Sequence, residues 1–473
     1  MDFVKQISLQ EKGDAEVFAH LFKDKVIYDH DEDAWYIFNG HIWEFDKCKK
    51  TLNLVESVAK IYEQATSQIN YEYAAKLERF HKARISSLRK KSGIKNVLEL
   101  AEAKLPLTEE WDSDPYLLAV KNGIIDLKTG KLRAGKPDDY MRNCSQTEFK
   151  ELDEPCEQWM QFLNELFPNN PEIPEFLQRL FGYAISGLSV EHVFVTFYGR
   201  RGRNGKDVML ETLCNVLGNA LASPISKEVL LSGLKNPGAS APFLFELQGK
   251  RLVYSDETSE GAAFDSAQVK MLSGGAPFVA KKLYMQPTII HPQYLIVITS
   301  NSKPAIDADD DALWERLICV EYTQRFVDDP SYDNEHLVDK FLKDKLKDEY
   351  PGILAWLVKG CLEWQEKGLM IPDSVKYTTD AYRTEQDSLG RFIDAECIIT
   401  QDAKVNVTQL YDIYTKWAEV DGVKKLSRRE FSRKMEERFP KERYATGYHY
   451  EGIELKPDIN QETEAYLEMA KSK

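Results

Sequence analysis

The chain has 473 residues, with 77 acidic side chains against 62 Lys and Arg and a formal net charge of −15. That balance excludes a protein that coats nucleic acid through its bulk surface, so any DNA contact has to come from local basic patches. Hydrophobic content of 43% and charged content of 29% are those of a folded globular chain, long enough for roughly two to four domains.

The seven cysteines (Cys48, Cys144, Cys156, Cys214, Cys319, Cys361, Cys397) are scattered and include no Cys-x-x-Cys pair, which points to reduced thiols and away from a zinc module. The eight histidines are equally dispersed, a pattern of packing or surface roles. No apolar stretch approaches the length that crosses a bilayer and the first residues lack a signal-peptide core, so the expectation is a cytoplasmic protein with no membrane partner.

Residues 1–105 read as an α+β region. Ala15–Phe22 suits a short helix, and two aromatic runs around Asn39-Gly40 suit a β-hairpin. The acidic run from Asp29 to Asp33 suits either a solvated loop or a metal-binding carboxylate pair, and its polar, turn-like composition favours the loop. From Leu52 to Lys104 the pattern is helical and basic, with Gly93 expected to break two helices; a solvated face is the simpler reading of the charge. Residues 106–186 hold a second hairpin signal with Thr129-Gly130 at its turn. Two amphipathic helices follow between Pro155 and Ser186, read as a helical collar with a role in oligomerisation.

Residues 187–330 carry the chemistry. An apolar run ends at Tyr198, then comes Gly199-Arg200-Arg201-Gly202-Arg203-Asn204-Gly205-Lys206-Asp207, then an amphipathic segment. Strand, glycine-rich turn and helix is the context of a phosphate-binding loop: Gly199, Gly202 and Gly205 let backbone N–H groups converge on a phosphate, and Lys206 reaches the terminal phosphates. The loop holds one residue more than the usual pattern, and Asp207 stands where a hydroxyl normally holds Mg²⁺. The same letters also suit a basic turn without a ligand.

The following strands decide between those readings. Leu252 to Ser255 is a short apolar strand ending at Asp256 and Glu257, expected beside the loop strand, with one acid on Mg²⁺ and the next orienting water. Tyr294 to Asn301 is continuously apolar and ends in polar residues, delivering Asn301 toward a γ-phosphate or the attacking water. Trp314-Glu315-Arg316 leads into another strand, and an arginine at a domain edge can complete a neighbour's site.

Residues 331–395 read as a helical extension with Trp356 and Trp364 in its core, and 396–473 as a separate domain. In the latter, Thr408–Trp417 is a helix and Asp421-Gly422 a turn. Ser427-Arg428-Arg429-Glu430 is a capping box opening a second helix, and Tyr444–Leu455 is a wing. Between Lys424 and Arg443 there are nine basic residues and four acidic. Helix, turn, basic helix and wing is a winged-helix arrangement, with Arg428, Arg429, Arg433 and Lys434 as DNA contacts.

The sequence resembles the phage and plasmid primase–helicase family, whose motor belongs to helicase superfamily 3 and is related to the poxvirus helicase–primase. The matches run in order through Asn122–Gly130, Asn204-Gly205-Lys206, Lys270–Gly275, Lys281–Tyr284, Thr299-Ser300-Asn301, Trp314–Leu317, Gly360–Leu369 and Asp387–Phe392. The resemblance implies an AAA+ type parallel-sheet ATPase, forming a ring that is hexameric and hydrolysing ATP with Mg²⁺ to travel 3′ to 5′ on single-stranded or forked DNA. A separate primase or replication initiator would be its partner. It makes Glu257 the catalytic acid, Asn301 the sensor, Arg316 the finger reaching the adjacent subunit, and Lys281 and Lys282 part of a DNA-gripping hairpin. Asp207, the longer loop and Ala276 in place of an acid depart from the family pattern and bear on the metal shell. They leave a second reading, a nucleotide-gated origin-binding initiator that unwinds little.

Overall fold

The computed structural model describes residues 1–232, 244–255, 262–280 and 287–457. It divides into two compact units, one of Met1–Pro304 with Glu315–Lys376, the other of Ala305–Trp314 with Tyr377–Lys473. No helix among the described residues is long and apolar enough to cross a membrane.

The first unit begins with helices that bury Val17, Phe18, Val58, Tyr62, Leu88 and Val97 together, beside an antiparallel sheet of β1 (Val26–Asp29), β2 (Ala34–Phe38) and β3 (Trp43–Phe45). The expected hairpin is β2–β3. Its connection is organised by Asn39, whose Oδ1 accepts from the N–H groups of His41 and Ile42, and by Gly40 at φ +108°. The helix expected from Ala15 starts earlier, at Gln10. Asp29 is not solvated as expected: it is buried and accepts from the N–H groups of Asp31 and Glu32 and from Trp111 Nε1, so it folds the acidic turn on itself. Gly93 also differs from expectation. The break falls at Arg89-Lys90, and Gly93 lies within the helix Lys91–Glu102, where a Cβ would stand 2.1 Å from Ser87 O. The basic residues here are partly neutralised, Arg84 by Asp14 and Arg89 by Glu56 and Glu63.

A second antiparallel sheet, β4 (Leu117–Val120), β5 (Gly123–Asp126) and β6 (Lys131–Arg133), contains the Thr129-Gly130 turn, with Gly130 at φ +68°. The strands of the main sheet are β7 (Phe194–Tyr198), β8 (Ala222–Pro224), β9 (Leu252–Ser255), β12 (Leu295–Ser300) and β13 (Leu317–Glu321). They run in the order β13–β7–β12–β9–β8 and every pairing is parallel. Between β9 and β12 lies the antiparallel pair β10 (Phe278–Ala280) and β11 (Thr288–Ile290); after β13 come β14 (Arg325–Val327) and β15 (Glu335–Leu337). The strand that leads to the acids was expected beside the loop strand, but β12 stands between them. All six residues of β12 are buried, so it takes a position covered on both faces.

The two helices between Pro155 and Ser186, Glu157–Leu166 and Glu172–Ile185, share one continuous core with this sheet: Trp159, Phe162 and Phe176 join Val195, Phe197 and Val297. The second of them packs on the helix Tyr350–Lys367 through facing glycines. A Cβ on Gly182 would stand 2.1 Å from Cys361 N, and one on Gly360 1.9 Å from Gln178 O. Trp356 and Trp364 are buried there as expected.

The second unit holds the helices Ser388–Glu396, Val407–Asp421 and Arg428–Arg438 on a sheet ordered β16 (Cys397–Asn406), β18 (Gly447–Leu455), β17 (Lys441–Tyr444). The Ser427–Glu430 capping box is present and Gly422 at φ +71° ends the preceding helix. The strand β16 was not foreseen, because most of its residues are exposed and no alternation marks them.

The helix contact makes a testable point. Gly360→Val lowers stability by about 1–3 kcal/mol, read as a lower urea midpoint. Gly202→Ala, whose added carbon meets nothing within 4 Å, leaves the midpoint unchanged.

Candidate functional site

The glycine-rich turn connects the carboxyl end of β7 to the helix Lys206–Leu217. Gly205 is the residue before the helix and takes φ +81°, a backbone conformation that other side chains rarely adopt. Gly199 is required by packing, since a Cβ there would lie 1.8 Å from Asn204 Nδ2. Asn204 is buried and ties the turn together: its Nδ2 donates to Arg201 O at 3.0 Å and its Oδ1 accepts from Lys206 N–H at 3.4 Å. Around Gly202 the space is open.

Lys206 is 1% exposed, and its Nζ donates to Asn301 Oδ1 at 2.8 Å. The register explains the meeting. Ser300 of β12 pairs with Tyr198 of β7, so the residues that follow each strand emerge side by side at the same edge. An ammonium ion buried against a neutral amide, below an open glycine turn, fits a phosphate group. Asp207 is the next residue, with Oδ2 3.8 Å from Lys206 Nζ and a side chain 74% exposed. Beneath them Tyr322 is fully buried and its hydroxyl donates to Met209 Sδ; burial first, then the Asp207 charge, push its pKa well above the ordinary value.

Two supports of the turn carry no sequence signal. Phe326 of β14 donates its N–H to Arg203 O at 2.8 Å, and its ring lies against Gly205. Tyr322 donates its N–H to Tyr198 O at 2.7 Å. Both follow β13, where only an apolar run was visible.

The remaining expected residues divide. Asp256, Glu257, Lys281 and Lys282 lie outside the described residues; the last described residue before the acids is Ser255, paired with Ile298 of β12. Arg316 is not at this chain's own turn. Leu317 pairs with Phe194 at the amino end of β7, which places Arg316 at the opposite edge of the sheet, roughly 15 Å along the strand direction. Its Nη1 is buried without a hydrogen-bond partner among the described residues, and a Cβ on Gly274 would stand 3.2 Å from that atom. Among the described residues no group of three or more His, Cys, Asp or Glu is arranged to hold a metal ion.

In the second unit Arg428, Arg429 and Arg433 are exposed on the helix Arg428–Arg438. Lys434 corrects the expectation. Its ammonium is held by Asp307, at 2.5 Å, and by Asp309, and its side chain is only 12% exposed. Arg438 joins the network through Asp309 and Asp387. Lys434 therefore binds the segment Ala305–Trp314 to its own unit and has no charge left over for a phosphate.

Known proteins resemble the chain along most of its length. Residues 15–168 match the family described as D5 N terminal like, residues 197–316 a family of unknown function, and residues 384–468 the family described as Poxvirus D5 protein-like. "Putative helicase L207/L206" of Acanthamoeba polyphaga mimivirus is 26% identical, covering 81% of this chain and 43% of that protein. "Putative primase C962R" of African swine fever virus is 21% identical, covering 89% of this chain and 48% of that protein. The chain is thus similar, along most of its length, to viral proteins named as helicases and primases. It spans a little under half the length of these two relatives. The solved apo structure of the NrS-1 C-terminal region is 12% identical, with a TM-score of 0.48 over 94% of this chain and 99% of that one.

The acid–base network in the second unit yields a pH prediction. Burial favours a neutral Asp309 carboxyl, but hydrogen bonds and charge from Lys434 and Arg438 outweigh it and hold its pKa below the ordinary 3.8. A depressed carboxylate adds stability that is complete above the unfolded-state pKa and lost as the pH falls through the folded-state one. Asp309→Asn is therefore less stable than the natural chain at neutral pH in thermal unfolding, and the gap narrows as the pH drops below 3.8.

Proposed function

We propose that the chain is the motor portion of an ATP-dependent replicative DNA helicase of a virus, phage or plasmid, acting as a hexameric ring that moves 3′ to 5′ on single-stranded DNA. The observation that carries this reading is the buried Lys206 ammonium against Asn301, at the carboxyl edge of a parallel sheet. Of the two viral relatives, one is named a putative helicase, which supports this reading, and the other a putative primase.

In this reading the backbone of Gly199–Gly205 and the Lys206 ammonium bind the phosphates of ATP, and Asn301 is handed from Lys206 to the γ-phosphate or the attacking water. Glu257 orients that water and draws off its proton. Asp256 and Asp207 would hold Mg²⁺, which supplies neutralisation of phosphate charge and prefers such hard oxygen ligands. Arg316, distant from its own loop and with one buried nitrogen unpaired among the described residues, is the group that would reach a neighbouring subunit's ATP. The collar contact between subunits would fall to the exposed face of the helix Glu157–Leu166, since Glu172–Ile185 is almost wholly buried in the chain's own core. Lys281 and Lys282 grip phosphates in the channel without reading bases. The second unit acts as a winged helix on duplex or forked DNA through Arg428, Arg429 and Arg433, and a separate primase or initiator completes the replication machinery. A second reading, a nucleotide-gated initiator with little unwinding, is favoured by the carboxylate of Asp207 beside Lys206.

Lys206→Ala should abolish ATP turnover, by about 100-fold or more, while Asp207→Ser should keep it; unchanged turnover in Lys206→Ala contradicts the site. Strand displacement on a 3′-tailed duplex separates the two readings, since ATP-dependent assembly without unwinding supports the initiator. Arg429→Ala and Arg433→Ala should each lower the slope of duplex affinity against salt by about one. Lys434→Ala should lower thermal stability and leave that slope as it was.

A further inference from the structure

A cavity of about 390 Å³ opens between the wing and the amino ends of the last two helices, lined among others by Asn406, Thr408, Tyr411, Arg428, Lys441 and Tyr448. That volume is in the range of small-ligand sites. Among the described residues no carboxylate lines it, although the chain carries 77 acidic residues. Arg428 is held by neutral groups, donating to Thr408 Oγ1 at 2.7 Å and lying 5.7 Å from the centre of the Tyr411 ring, and neither partner cancels its charge. Lys441 is bound to Glu436 at 2.6 Å and stands 5.4 Å from the centre of the Tyr448 ring. Tyr448 is 52% exposed, which leaves ring surface beyond the Lys441 ammonium accessible to a ligand. The two helix starts are already capped, by Asn406 Oδ1 accepting from Thr408 and Gln409 N–H and by Ser427 Oγ accepting from Glu430 N–H. Recognition at the cavity therefore belongs to its side chains.

A guanidinium with no acid partner among the described residues, beside a hydroxyl and next to a half-exposed tyrosine, matches a ligand that joins an anion to a flat ring. We infer that the cavity takes one nucleotide of an unpaired DNA strand, with the phosphate on Arg428 and Thr408 and the base stacked on Tyr448. A base inside a duplex has both faces covered by its neighbours, so only an unpaired base offers a face to the tyrosine. The inference rests on the reading of this unit as DNA-binding and goes beyond it: the wing senses the single strand at a fork, while Arg429 and Arg433 hold the duplex.

The test is photo-cross-linking of the full chain to a short single strand carrying one 5-iodouracil, with the adduct mapped by mass spectrometry. The expected result is an adduct at Tyr448 that a blunt duplex with the same base at its centre does not give. Tyr448→Ala removes the adduct and weakens single-strand binding about tenfold, and Tyr448→Phe retains both. An equal adduct from the blunt duplex, or unchanged single-strand affinity in Tyr448→Ala, overturns the proposal. So does loss of the adduct when free thymidine monophosphate is added at equal concentration, which would make a free nucleotide the occupant. Duplex binding that ignores Arg429→Ala and Arg433→Ala removes the winged-helix reading and leaves the Tyr448 adduct to be judged by itself.

Discussion

The hydrogen bond from the Lys206 ammonium to the Asn301 amide depends on strand order more than on either residue. An ammonium ion stays charged when buried only where oxygens replace its water, and here the nearest oxygen comes from the strand next door. Placing β12 between β7 and β9 puts the lysine and the asparagine at adjacent strand ends, and leaves Ser255 beside Ile298 at the same edge. The sheet thus collects at one edge groups that lie far apart in the chain.

The rest of the first unit keeps that edge still. Helices from before β7 and after β13 pack into the same core as the sheet, and facing glycines let two of them approach at backbone distance. The turn is braced from below by Tyr322 and from the side by Phe326, so its shape is fixed before any ligand arrives. Preorganised donors of this kind bind charge without a reorganisation cost. The second unit has its own core around Phe392, Tyr414 and Phe431 and its own ion network around Asp309, and its exposed cations and tyrosines are arranged on that support.

Much of this was legible in the letters where local chemistry decides the backbone. Thr129-Gly130, the Ser427–Glu430 box and Gly422 were readable because turns and caps follow from a few neighbouring side chains. The strand leading to the loop was readable as an apolar run of β-branched and aromatic residues. What escaped depended on distant partners. Gly93 looked like a break and is a packing contact with Ser87; Asp29 looked solvated and is capped by its own turn and Trp111. Lys434 looked like a DNA contact until Asp307 and Asp309, more than a hundred residues earlier, were placed beside it. The position of β12 was equally hidden, because periodicity says which strands are buried and not which neighbours they choose.

In the proposed motor Lys206 and Asn301 act as one phosphate site. A double-mutant cycle on ATP turnover, with Lys206→Ala, Asn301→Ala and the pair, measures that directly. Coupled residues predict that the double variant is scarcely worse than Lys206→Ala alone. Losses that multiply, as for two independent sites, would contradict it.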